Sequence, residues 1–265
     1  MIEAGKVWAD VAAIRARAPL VHNVTNWVVM DLTANALLAL GASPVMAHAV
    51  EEVEEMAALA GAVVLNMGTL DQSWIASMTA TLAAARKHGK PVVFDPVGAG
   101  ATRLRTQTAQ RMVEAGGVSV VRGNASEIAA LAGAAGRTKG VDSLDESLKV
   151  ADAAAGLTAL CDVVVISGEK DVVVGRERRC VLANGCALMT RVTGMGCTAT
   201  ALVGAFLAVQ PDPFLASAHA MAVMGIAGEL ARDAGAGPGS LRMHFLDALH
   251  NLDEQTIAAW LRIDR

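Results

Sequence analysis

The sequence predicts an α/β protein: a doubly wound, mostly parallel sheet flanked by helices, in a single domain. Short β-branched runs recur that are nearly continuous in apolar residues, as strands covered on both faces are. Ala-rich stretches of helical length separate them, and a repeated strand–helix unit implies parallel neighbours joined by crossovers. The 265 residues, 54% hydrophobic, suffice for a large core. No Ser/Pro-rich linker, internal repeat or low-complexity tail divides them, so residues 1–265 read as one domain.

In chain order, "SPVM" (43–46) is a short strand, followed by "AVVLN" (62–66), "PVVFD" (91–95), "VSVVR" (118–122) and "DVVVIS" (162–167). The stretch "QSWIASMTATLAAARKHG" ends in Arg86, Lys87 and His88 before Gly89, the composition of a helix C-terminus. In "DVVVGRERRCVLANG" two strands, 171–174 and 180–183, form a hairpin-like pair, and three helical segments follow through Leu261.

Charge and composition exclude several classes. The net charge is −4 and interspersed, and no Lys/Arg tract exists to neutralise a nucleic-acid backbone. The N-terminal stretch lacks the apolar core of a signal peptide, and the apolar run from Cys197 to Val209 is shorter than the roughly 20 residues that span a bilayer. A cytoplasmic protein without a membrane or nucleic-acid partner is expected. Cys161, Cys180, Cys186 and Cys197 show neither a C-x-x-C pair nor zinc spacing, so free thiols are expected.

Ligands of such sheets sit beyond the carboxyl ends of the strands. Three strands end there in polar or glycine-rich text: "FDPVGAG" (94–100), "VRGNASE" (121–127) and "ISGEKD" (166–171). In the first, Asp95 closes the strand, and Gly98 and Gly100 free backbone amides to face an anion, unless the stretch is an ordinary turn. In the second, Asn124 and Glu127 have the spacing of a helix-capping box, while Arg122 at the strand end is suited to phosphate. Downstream, Gly194 and Gly196 precede a helix beginning near Cys197, so the amides of Gly194, Met195, Gly196 and Cys197 form an anion hole at a positive helix end. A thiol there gains a stabilised thiolate and a lowered pKa, against the alternative of a small buried apolar residue. Gly194, Gly196 and Ala199 formally satisfy G-x-G-x-x-G/A, but no acidic strand end follows about 20 residues on, and no P-loop is present.

Four segments in this order, "PLVHNVTNWVVMDLTANALLALGASPVMAHAVEEVEEM" (19–56), "VVFDPVGAG", "VRGNASEI" and "VTGMGCTATALVGAFLA", resemble the hydroxyethylthiazole kinases, thiamine-salvage enzymes with a ribokinase-like fold. The likeness spans nearly the whole chain. It implies ATP- and Mg²⁺-dependent phosphorylation of the primary alcohol of 4-methyl-5-(2-hydroxyethyl)thiazole. By the same resemblance Arg122 and Ser167 bind ATP, and Asp95 and Glu127 hold magnesium and its waters. Met46 and Gly194 contact the thiazole with Asn26 nearby, and Cys197 is the catalytic base facing the alcohol. It further implies a homotrimer with each site between two subunits. Met195 departs from the Thr or Ala more usual between the two glycines, a change that an anion hole made of backbone amides tolerates.

Two other functions fit the same text less well. An ATP- or ADP-dependent dehydratase of this fold is expected to carry Asp where this chain has Cys197. A non-catalytic thiazole-binding protein leaves Asp95, Arg122, Glu127 and Cys197 with no shared reason to occupy strand and helix ends.

Overall fold

The computed structural model describes residues 2–133 and 144–264, and in them nine strands form one sheet. The chain runs α1 (Ala4–Arg17), β1 (Leu20–Val24), α2 (Met30–Leu40), β2 (Ser43–Val45), α3 (Val53–Leu59), β3 (Ala62–Asn66), α4 (Gln72–Lys87) and β4 (Val92–Asp95). It continues through α5 (Arg103–Glu114), β5 (Val120–Asn124), α6 (Ala125–Leu131), α7 (Leu144–Leu157), β6 (Val163–Ser167), β7 (Asp171–Gly175) and β8 (Arg179–Leu182). A 3-10 turn (Ala187–Arg191) then leads to α8 (Met195–Leu207), α9 (Pro213–Ala234), α10 (Pro238–Asn251), α11 (Glu254–Trp260) and β9 (Ile263–Asp264).

The sheet order is β2-β1-β3-β4-β5-β6-β7-β8-β9. Pairings from β2 through β6 are parallel, and β6 through β9 are antiparallel. The direction of winding reverses between β1 and β3, because the chain goes from β1 outward to β2 and then returns to the other side of β1. A reversal of this kind opens a crevice at the carboxyl ends of the two strands.

Strand residues alternate between two cores, as a period of two requires. Val64 and Val93 face α1, α2, α8, α9 and α10, whereas Val63, Leu65 and Phe94 face α4, α5, α6 and α7. Helix ends are fixed locally. Asp71 accepts the Trp74 amide at 2.7 Å to start α4, and Asp212 caps α9 ahead of Pro213 at its first position.

The predicted strands are present with ends shifted by one to two residues, the usual scatter of strand limits. Three features differ from expectation. β1 carries His22 and Asn23, polar residues that interrupt the apolar signal although both are fully buried. β9 has only two residues. Four α-helices, not three, follow the hairpin, because Asp253 caps a separate α11 by accepting the Thr256 amide at 2.7 Å. α9 has the length and apolarity to cross a bilayer, but 89% of its most apolar stretch is packed inside the protein.

α8 lies directly on the sheet because Gly204 lets it approach: a Cβ there would meet Val64 Cγ2 at 2.7 Å and Val21 Cγ1 at 3.2 Å. Gly204→Val should therefore overpack this contact and cost about 1–3 kcal/mol, read as a lower denaturant midpoint. Adding Val64→Ala to that variant should restore part of the loss. A Gly204→Val midpoint equal to the parent's would show that the helix is free to move away.

Candidate active site

Asp95, the last residue of β4, is 1% exposed at the carboxyl edge of the sheet. Parallel register places Asn66 of β3 beside it, and Asn66 Nδ2 donates to Asp95 Oδ2 at 2.9 Å. The Thr200 hydroxyl, in the second turn of α8, donates to the same oxygen at 2.7 Å, and Arg122 Nη1 lies 4.0 Å from it. Burial pushes the Asp95 carboxyl up to about 6, opposed by the Arg122 charge and assisted by the Glu127 charge.

Arg122 points from β5 into the same space and donates from Nη2 to the Ser167 hydroxyl oxygen at 2.6 Å. Its Nε has no partner among the described residues. The guanidinium also lies against the first turn of α8: a Cβ on Gly196 would be 2.8 Å from Nη1. A second buried carboxylate, Asp171 at the start of β7, is raised to about 6 by burial against the pull of Arg122. It accepts the Gly168 amide at 3.2 Å and so shapes the loop after Ser167.

Gly194 takes φ +87° as the N-cap of α8, packed where a Cβ would meet Val29 Cγ1 at 2.7 Å. The amides of Met195, Gly196 and Cys197 donate to no group among the described residues, so they stand open beside Arg122 and could take an anion. Cys197 Sγ accepts Asn26 Nδ2 at 3.5 Å. Its thiol is not acidic as the helix terminus alone predicts. Burial first and the Asp95 charge second push it up to about 11, outweighing the Asn66 and Asn26 hydrogen bonds and Arg122. Without a ligand it is therefore protonated at neutral pH. The other thiols, Cys161, Cys180 and Cys186, are free as expected.

Asn26 stands at the topological switch point, where its Nδ2 also donates to Asn66 Oδ1 at 2.8 Å. Met46 follows β2 and is half-buried, and the loop it belongs to is held by His22, whose Nε2 is 2.7 Å from the Ala47 carbonyl oxygen. Next to Asn26, Trp27 packs edge-on to His48 with ring centroids 5.1 Å apart, and Trp74 lies 5.3 Å from Trp27 and 4.8 Å from His48.

One expected role changes. The Gly98 and Gly100 amides are not open to a bound anion, because they are taken up within the chain: Gly98 donates to the Glu127 carboxylate at Oε1, 2.8 Å, and Gly100 to the Thr106 hydroxyl, 2.9 Å. Glu127 completes the capping box, its Oε2 accepting the Asn124 amide at 2.9 Å, so this carboxylate braces two loops at once. Three site residues were missed. Asn66 ends "AVVLN" and obeys the same carboxyl-end rule as Asp95. Thr200 lies three residues after Cys197 on α8. Arg105 donates to the carbonyls of Met67, Val97 and Gly68 at 2.7, 2.7 and 2.6 Å, locking the loop after β3 to the loop after β4.

A magnesium ion fits this donor set in a particular way. Asp95 is a hard, buried carboxylate destabilised by its own charge, with Glu127 close enough to add to that charge. No cluster of three or more His, Cys, Asp or Glu capable of holding a metal exists among the described residues. One or two carboxylates without a closed cage suit magnesium, which keeps waters and is shared with phosphate oxygens.

A model of the hydroxyethylthiazole kinase family matches residues 11–255. The hydroxyethylthiazole kinase of Syntrophus aciditrophicus is 55% identical over 97% of this chain and 96% of its own. The solved structure of a hydroxyethylthiazole kinase protein from Pyrococcus horikoshii superposes with a TM-score of 0.91 at 43% identity, covering 98% of each chain. A pyridoxal kinase from Staphylococcus aureus, solved with AMP-PCP and pyridoxal, gives a TM-score of 0.62 at 16% identity over 79% of this chain and 87% of its own, a likeness of fold.

The Asp95 geometry generates a stability prediction. A carboxyl raised in the folded state stabilises the fold relative to its ionised form below the unfolded pKa of 3.8, and that contribution is lost as pH rises through about 6. Asn mimics the neutral form. Asp95→Asn should therefore be more stable than the parent at pH 8, by about 1–3 kcal/mol, with the gain gone by about pH 4. Denaturant unfolding at both pH values reads this directly, and a variant less stable than the parent at pH 8 would contradict it.

Proposed function

This chain belongs to the hydroxyethylthiazole kinase family, and from that premise we propose that it transfers the γ-phosphoryl group of ATP to the primary alcohol of 4-methyl-5-(2-hydroxyethyl)thiazole, with magnesium, in thiamine salvage. One observation carries the reading beyond the family. Cation-seeking and anion-seeking groups meet at one point: buried Asp95 lies 4.0 Å from Arg122, and Arg122 lies against the open amides of α8. A metal-bound phosphate satisfies both kinds of group at once, which neither a bare anion nor a bare cation does.

Phosphoryl transfer requires positioning and charge stabilisation more than covalent help. Arg122 and Ser167, already hydrogen-bonded to each other, clamp the nucleotide phosphates. The amides of Met195, Gly196 and Cys197 hold oxygens of the transferred group. Asp95 and Glu127 would hold magnesium through its waters, and magnesium when bound offsets charge on the phosphate oxygens. Met46, Gly194 and Asn26 line the thiazole side. Cys197, once its own proton has passed to solvent, takes the alcohol proton as thiolate. Burial, the larger cause of its raised pKa, is fixed by the fold, but the Asp95 charge is not: positive charge held at Asp95 brings the thiol down.

The homotrimer belongs to the same proposal. Trp27 is 59% and Val28 63% exposed immediately after Asn26, apolar surface that a neighbouring subunit would cover while lining the thiazole pocket. The free thiols suit a reducing, cytoplasmic compartment.

Incubation with ATP, magnesium and hydroxyethylthiazole should yield a phosphomonoester, and no product would sink the kinase reading. In the same assay Cys197→Ala should lower turnover by roughly 10²- to 10⁴-fold with ATP affinity retained, and Cys197→Asp should keep more activity than Cys197→Ala. Wild-type turnover in Cys197→Ala would leave the thiol without a proton-transfer role. For assembly, light scattering at micromolar concentration should give the mass of three chains, and a fully active monomer would remove the shared-site proposal.

A further inference from the structure

We infer that Asn66 is a positioning residue for phosphoryl transfer, a single carboxamide that sets the orientation of Cys197 on the alcohol side and of Asp95 on the phosphate side. The inference rests on the kinase reading. Asn66 is 1% exposed, and its backbone is anchored by Trp74 Nε1, which donates to its carbonyl oxygen at 3.2 Å. Its side-chain amide has one possible orientation. The Gly68 amide donates to Oδ1 at 3.0 Å, and an N–H can be met only by the oxygen end; Asp95 then receives the Nδ2 end at 2.9 Å.

That orientation determines the next residue. With Asn66 Oδ1 facing it, Asn26 must present its NH₂ group, at 2.8 Å. A carboxamide NH₂ has two hydrogens, and the same Nδ2 lies 3.5 Å from Cys197 Sγ. Asn26 Oδ1 is in turn held by the Val28 amide at 3.2 Å, so neither carboxamide can flip without losing bonds at both ends. The sulfur is thereby made an acceptor from Asn26, which leaves its remaining lone pair and any thiol hydrogen to face the alcohol. Asn66 joins the end of β3 to the loop after β1, one residue beyond the last β1–β3 pair, Val24 with Leu65, and beside the bond from the Trp27 amide to the Thr69 hydroxyl at 3.2 Å. The approach is tight: a Cβ on Gly68 would meet Asn26 Nδ2 at 2.5 Å.

The test uses Asn66→Ala and Asn66→Asp in the full chain, each also combined with Cys197→Ala. Asn66→Ala should lower kcat about 10- to 100-fold while the KM for ATP stays within about twofold. In the Cys197→Ala background the same change should cost at least about threefold less, because one of its two arms acts through the thiol. Asn66→Asp keeps the acceptor for Gly68 and Asn26. It loses the donor toward Asp95, so it should keep the Asn26 side-chain amide signals that Asn66→Ala loses while kcat stays low. An Asn66→Asp variant that loses the Asn26 side-chain amide NMR signals as Asn66→Ala does, or equal factors in both Cys197 backgrounds, would overturn the inference. The arm itself is read on the free protein whether or not transfer occurs: the Asn26 side-chain amide protons should give resolved, slowly exchanging NMR signals that Asn66→Ala collapses to the free-amide position. Absence of phosphorylation by the parent would refute the kinase reading, whereas unmoved Asn26 signals would refute the positioning role.

Discussion

A carboxylate buried at the end of a central strand is the constraint around which this site is built. At an effective dielectric near 20, unit charges about 4 Å apart attract by about 4 kcal/mol, the order of what Arg122 offers Asp95. Asp95 nevertheless remains raised to about 6, so burial together with Glu127 outweighs the guanidinium. The surrounding residues answer that imbalance only in part. Asn66 and Thr200 both donate to Oδ2, and Gly196 allows Arg122 to lie beside the helix end. The same uncompensated charge raises the Cys197 thiol, so the state of that thiol is tied electrostatically to whatever charge sits at Asp95.

The fold delivers this arrangement through two features. Reversal of winding between β1 and β3 opens the crevice in which Asn26 and Asn66 meet. α8, seated on the sheet at Gly204, projects its first turn over the ends of β4 and β5, so that one helix supplies the open amides, Cys197 and Thr200. Sites on strand ends and helix starts are held more rigidly than sites on long loops, which suits a reaction that depends on positioning.

Much of this was legible in the sequence, for reasons of periodicity. Central strands such as 62–66 and 163–167 are nearly continuous apolar runs, and the carboxyl-end rule then led to Asp95, Arg122 and the stretch 166–171, in which the family resemblance picked out Ser167. β1 escaped because buried His22 and Asn23 read as polar text, and their burial is a tertiary fact. The glycine pair before Cys197 announced an anion hole, but a helix terminus alone predicts an acidic thiol. Only the structure shows the burial and the neighbouring Asp95 that reverse the sign. Gly98 and Gly100 signalled a turn correctly and their amide partners incorrectly, since Glu127 and Thr106 are brought to them by folding. Asn66 carried a usable signal, a polar residue closing an apolar strand. Its importance lies in bonds to residues 40 positions before and 29 after it, which no local pattern encodes.

We propose that Asp95, buried and under-compensated, receives the cation that accompanies a phosphate. Calorimetric titration of ADP into the parent and into Asp95→Asn at pH 8, with and without magnesium, tests it most directly. Magnesium should strengthen nucleotide binding to the parent, and Asp95→Asn should lose this enhancement while binding metal-free ADP at least as tightly as the parent. Equal magnesium enhancement in the two proteins would contradict it.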